Sequence, residues 1–306
     1  MNVREWALPV YTLLMQLAVG SLLVLWLIRT MAASKFSQQE IDHIIRDPIM
    51  VITFTAAVAM LGAHFHLSRP FHSYLAVLNF RTSWLSREII FTILFFLTNT
   101  GLLYLTFFKP HKRTLISALG WLAILFGCVL VYCMARIYLI PTQVAWNSTT
   151  VILSFYITTL MLGCMAIACL MVLDLKFAEI TRPEDVELRI EVIRYSFIGL
   201  TVLTIVLVIF SMIVLFVQIS LLAQGGMIAR TSLELLLQLY LPLFLMRIFF
   251  LLSATGLLLY VMYRTRRLKL SPQSLFMPVY LSCLFIMVGE IIGRFLFYAT
   301  HIRMGI

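Results

Sequence analysis

Polar residues come in bunches along this chain, and between the bunches run eight long stretches in which almost every position is apolar. They extend over about 7–28, 48–67, 88–108, 114–138, 148–173, 195–222, 241–262 and 275–300, each bounded by charge or proline. A helix rises 1.5 Å per residue, so roughly 20 apolar residues suffice to cross the hydrocarbon of a bilayer. None of the stretches alternates apolar with polar residues as a barrel strand does, and helices satisfy their backbone hydrogen bonds within the segment. The pattern predicts an all-α, polytopic integral membrane protein, a bundle of about eight transmembrane helices forming a single domain over 1–306. The first stretch follows Arg4 and precedes Ala32-Ala33-Ser34, as in a signal peptide, but its roughly 22 apolar residues exceed a signal core and predict a retained span. The longest connection, Asp174 to Arg194, alternates acids and bases and predicts a short helix on the cytoplasmic side.

Composition sharpens this only in one respect. With 62% hydrophobic and 12% charged residues among 306, the protein has more apolar surface than one water-soluble core can enclose. Charge adds orientation. Of the 23 Lys and Arg residues, fourteen fall on one side of the eight spans, six on the other, and Arg136, Arg247 and Arg294 lie within spans. The richer side faces the cytoplasm, so both termini are expected to face away from it. The net charge of +10 then expresses topology and attraction to anionic lipid, not affinity for nucleic acid.

The five cysteines all lie in spans and form no C-x-x-C spacing, so no iron–sulfur or zinc site is expected. A b-type haem needs two histidines at matching depth. His43, His72 and His111 fall in loops and His64, His66 and His301 at span ends, so no haem is expected either.

Ionisable residues inside or at the rim of a bilayer are costly, and each is a functional candidate. His64 and His66 close the second span, Glu88 opens the third, Arg136 and Tyr138 close the fourth, Arg247 follows the start of the seventh, and Glu290, Arg294 and His301 approach the end of the eighth. All belong to the non-cytoplasmic half. Such a cluster suits a quinol, which must lose two protons at the membrane rim while its electrons leave separately. Imidazole titrates near neutral pH and a partly buried carboxyl can take the second proton, which singles out His66 and Glu88 as the proton-accepting pair. Blander roles compete with these. His64 and His66 point to different helix faces, and Glu88 follows Ser86 closely enough to be an acid at a helix N-terminus capped by that serine. Glu290 and Arg294, four apart between Gly289 and Gly293, read as an intramembrane ion pair at a close helix approach. Arg247, roughly 10 Å below the surface, wants a partner such as Glu290. For these three a structural role and a pocket role are equally open. Arg69 and Arg136 read first as snorkelling cations, Trp84 and Trp146 as aromatic-belt residues.

The segment His66-Leu67-Ser68-Arg69-Pro70, followed by Leu78-Asn79-Phe80-Arg81-Thr82-Ser83-Trp84-Leu85-Ser86-Arg87-Glu88-Ile89, resembles the signature of the membrane anchor subunit family of dimethyl sulfoxide reductase. Weaker likeness continues through Met134-Ala135-Arg136-Ile137-Tyr138 and Gly289-Glu290-Ile291-Ile292-Gly293-Arg294 to Phe297-Tyr298 and His301. The resemblance implies an eight-helix anchor with periplasmic termini, bound to a subunit carrying four [4Fe–4S] clusters and to a molybdopterin catalytic subunit. It also implies a menaquinol site at His66 and Glu88; Arg69, His72, Tyr74, Trp84, Arg136 and Tyr138 are expected to shape the pocket around that pair. After Pro70 the sequence reads Phe71-His72-Ser73-Tyr74, where a familiar relative carries an arginine and a phenylalanine. Two rival readings stand beside this one: a polysulfide reductase-type anchor that conducts protons across the bilayer, and a small-solute transporter.

Overall fold

The computed structural model describes residues 3–66, 77–267 and 276–302, with no side-chain detail for 3–7, 38–39, 64–66, 185 and 265–267. Ten helices follow one another along the described residues: α1 (Val3–Ala32), α2 (Gln38–Ile44), α3 (Arg46–His66), α4 (Trp84–Phe108), α5 (Arg113–Ile137), α6 (Thr149–Thr181), α7 (Val186–Gln224), α8 (Met227–Glu234), α9 (Leu241–Arg267) and α10 (Phe276–Ala299). Among the described residues there is no strand, and eight of the helices are long and apolar enough to cross a membrane. This is the helical membrane bundle that the apolar runs require.

The two short helices were not legible as spans, for physical reasons. Helix α2 is a surface turn started by Ser37, whose side chain accepts from the Glu40 backbone amide while the Glu40 carboxylate accepts from the Ser37 amide. That reciprocal capping box needs no apolar run. Helix α8 runs into a π-helical turn, Leu235–Leu239, which leads the backbone into α9. The connection from Asp174 to Arg194 forms no helix of its own. Helix α6 continues to Thr181, a 3-10 turn covers Pro183–Asp185, and α7 begins at Val186. Asp174 of α6 pairs with Arg189 of α7 at 2.8 Å, and Arg182 between them reaches Asp47 at the start of α3 at 3.1 Å, so both helices extend beyond their apolar portions.

Helices α1 and α6 form the centre and are the most enclosed of the eight. They cross backbone against backbone at Gly20 and Gly163: a Cβ at Gly20 would lie 1.9 Å from the Thr159 carbonyl oxygen. Small residues allow such approach in membranes, where contact itself supplies the attraction. Helix α3 flanks α1, α4 and α5 form a hairpin, α7 packs on α6, and α9 packs on α10. Large apolar side chains such as Phe54, Phe216 and Phe249 face outward, as a bilayer solvent permits.

An even number of crossings brings the start of α1 and the end of α10 to one end of the bundle. The end of α3, the start of α4, the end of α5 and the starts of α6 and α9 lie at this termini end as well.

Candidate functional site

Ser83 caps α4, its side chain accepting from the Ser86 backbone amide at 3.3 Å, so the helix opens at Trp84. Glu88 therefore sits in the second turn and is 4% exposed. The reading of Glu88 as a first-turn acid capped by Ser86 is corrected: a carboxylate that merely complements a helix dipole stays in the first turn, whereas this one points into the bundle. It has no ion pair among the described residues.

Tyr11 of α1 stands beside it. The Tyr11 hydroxyl shares a 2.8 Å hydrogen bond with Thr92, one turn further along α4, and interacts with the Glu88 carboxyl. Tyr138, the C-cap of α5, meets Tyr298 of α10 hydroxyl to hydroxyl. Trp146, Phe155 and Phe297 surround the Tyr138 ring at centroid distances between 5.1 and 5.7 Å. Trp146 donates from its indole to the Phe297 carbonyl at 2.8 Å and stacks on His301 at 4.5 Å. It is thus built into the bundle rather than lying in a plain aromatic belt.

Trp84 carries two guanidinium groups, Arg87 at 4.2 Å and Arg136 at 4.8 Å from its ring. Such cation–π contacts hold a cation beside an apolar surface. Arg136 has an enclosed Nε without a hydrogen-bond partner.

The second polar group lies deeper. Glu290 and Arg294 do not close on each other, as their spacing on one helix face suggested; each finds a partner on another helix. Glu290 accepts from Thr158 of α6 at 2.5 Å and faces Arg247 Nη2 of α9 at 3.5 Å. Arg294 donates to the Gln16 side chain of α1 at 2.5 Å and lies over the Phe155 ring at 4.0 Å. Gln16 in turn donates to the Phe155 carbonyl at 2.8 Å. Gly293 makes room for the Arg247 guanidinium, since a Cβ there would come within 2.6 Å of its Nε. Beside these groups, a cleft of about 90 Å³ opens between the α6–α7 and α9–α10 pairs.

Helix α3 ends at His66, which brings that backbone to the same end of the bundle as Glu88. The side chains of His64 and His66, and the whole of Arg69, His72 and Tyr74, lie outside the described residues. Sequence reasoning missed Tyr11, Thr92 and Gln16. The signal for Gln16 was present, an amide in the middle of an apolar run, but nothing local says which helix it faces.

Fold and site together define a polytopic membrane protein with protonatable groups gathered at one end and no soluble domain of its own among the described residues. The sequence model of the DMSO reductase anchor subunit (DmsC) family matches residues 1–300, and the protein belongs to that family. It is similar to YnfH of Escherichia coli K12, a polypeptide of anaerobic dimethyl sulfoxide reductase, 25% identical over 306 residues, which cover 99% of this sequence and 96% of that one. It is similar also to the C polypeptide of the anaerobic dimethyl sulfoxide reductase of Haemophilus influenzae, 22% identical over 309 residues, covering 100% and 98% of the two sequences.

Proposed function

We propose that this protein is the quinol-oxidising membrane anchor of a respiratory molybdopterin oxidoreductase complex of the dimethyl sulfoxide reductase type. Menaquinol enters laterally from lipid and docks at the periplasmic end, between the last turn of α3 and the first turns of α4. There it becomes menaquinone, releasing two protons and two electrons. Glu88 and His66 accept the protons. The electrons pass to the nearest cluster of a partner subunit carrying four [4Fe–4S] clusters, and from it to a molybdopterin catalytic subunit.

The observation that carries this reading is the enclosure of the Glu88 carboxyl, 4% exposed, in a bed of hydroxyls at the end of the bundle that α3 reaches with His66. Burying a carboxyl without a counter-charge is unfavourable, so its retention points to chemistry. Tyr11, fixed by its own bond to Thr92, stands beside the carboxyl. The Trp84 ring, with Arg87 and Arg136 on it, offers a flat wall near a headgroup docked at Glu88. To the same site we assign Arg69, His72, Tyr74 and Tyr138, from their place in the sequence. The anchor contributes binding, orientation and proton acceptance; the clusters and the molybdenum centre belong to its partners.

The test uses the assembled complex in membranes. With His66→Ala or Glu88→Gln, quinol-dependent reduction of the terminal acceptor should fall by about 100-fold, the size expected for loss of a proton-accepting group. Assembly and activity with an artificial dye donor should persist. Unchanged quinol turnover in both variants removes the assigned site.

A further inference from the structure

The cleft beside Glu290 does not include Glu88 in its lining. Its polar floor is Glu290 and Arg294 of α10 with Arg247 of α9, and Trp146, Phe244 and Phe297 give it aromatic walls. Glu290 Oε1 and Arg247 Nε are both enclosed without a hydrogen-bond partner, although the two side chains offset each other's charge across 3.5 Å. An acceptor and a donor therefore stand side by side in an apolar setting. Buried polar atoms of this kind are normally satisfied.

Depth narrows the ligand. Arg247 is six residues into α9 and Glu290 nine residues before the end of α10, so they lie about 9 and 14 Å below the helix ends. Half the hydrocarbon of a bilayer is about 15 Å thick. A phospholipid phosphate stays near the interface, above these groups. A flat, weakly polar ring on an apolar tail can descend to them, a quinone carbonyl or a quinol oxygen accepting from the Arg247 guanidinium and a quinol hydroxyl donating to the Glu290 carboxylate. The π-helical turn Leu235–Leu239 ahead of α9 places Leu236 in the lining, and such turns recur at functional sites.

We propose that this cleft is a second quinone-headgroup site, separate from the one at Glu88. It goes beyond the quinol oxidation assigned above, and it needs no redox step of its own.

The purified complex, in lipid-containing micelles, is photolabelled with an azido-menaquinone analogue and the labelled peptides are mapped by mass spectrometry. Label is expected on peptides of α9 and α10 and should persist in Glu88→Gln. It should fall at least tenfold in Leu215→Trp, which fills the cleft from α7 while leaving every charge in place, and in Arg247→Leu, which removes the donor a quinone carbonyl needs. Should Arg247→Leu fail to assemble, Leu215→Trp alone decides. The proposal is overturned if label is confined to α3 and α4 and vanishes with Glu88→Gln. It is overturned equally if Leu215→Trp leaves α9 and α10 labelling unchanged, or if a phospholipid occupies the cleft and excess menaquinone does not displace it. Label on α9 and α10 with none near α4 would uphold this site and remove the one at Glu88.

Discussion

Tyr11 illustrates what a single hydroxyl contributes here. It bonds Thr92 at 2.8 Å and reaches Glu88 from a different helix, so Tyr11→Phe removes the orientation of the carboxyl while preserving ring volume in the core. A neutral hydrogen bond of this kind contributes about 1 kcal/mol, and about 1.4 kcal/mol is a factor of ten. We expect quinol turnover to fall roughly 5- to 10-fold with assembly intact, and Thr92→Val to reproduce part of that loss. Steady-state kinetics with a menaquinol analogue measures it, and wild-type rates in both variants would show that Glu88 needs no such support. Glu88 itself was legible in the sequence, because a carboxyl in an apolar run is conspicuous. Its partners were not. Tyr11 lies 81 positions away from Thr92 and Gln16 lies 278 from Arg294, and spacing along one helix does not say what another brings against it. Local spacing even misled at Glu290 and Arg294, where an available i to i+4 pair gave way to partners on α6, α9 and α1 with better access to the charged ends.

At the scale of helices, the count of spans followed directly from the apolar runs, but the crossings did not. The closest is that of α1 and α6, where a Cβ on Gly163 would come 2.2 Å from the Gly20 carbonyl carbon. Both surfaces there are backbone, which cannot rotate out of the way. Gly20→Ala or Gly163→Ala must push the central pair apart and disturb the Gln16 contacts to Phe155 and Thr159 one turn away. Overpacking of this kind costs about 1–3 kcal/mol or more, so thermal inactivation in detergent should shift down by several degrees. Gly62→Ala is the matched control, since a Cβ there meets nothing within 4 Å, and it should leave the inactivation temperature where it is. Equal behaviour of the two substitutions would contradict the observed crossing. Glycines in apolar helices advertise that close approach is possible, and only the packed structure tells which ones use it.

At the scale of the whole molecule, the acids at the end away from the termini are held quite differently from Glu88. Away from the termini, Asp42 lies between Arg29 at 3.0 Å and Arg113 at 3.6 Å, and Asp174 between Arg189 at 2.8 Å and Arg182 at 3.8 Å. Carboxylates pinned between arginines hold helix ends together and make poor proton carriers, which argues against a relay reaching that end from Glu290. Near the termini, Glu88 lies buried with no such counter-charge among the described residues. If the arginine-rich end is cytoplasmic, quinol protons leave on the periplasmic side, and the sidedness can be read without any enzymology. Ser34 is exposed just beyond α1 at the arginine-rich end, and Leu78 is 70% exposed just ahead of α4 at the other. The five native cysteines all lie within spans, so a membrane-impermeant maleimide meets little background. In intact spheroplasts Leu78→Cys should be labelled and Ser34→Cys should stay unlabelled until the membrane is opened. The reverse pattern would turn the bundle over, carry Glu88 to the cytoplasmic face, and with it overturn outward release of the quinol's protons.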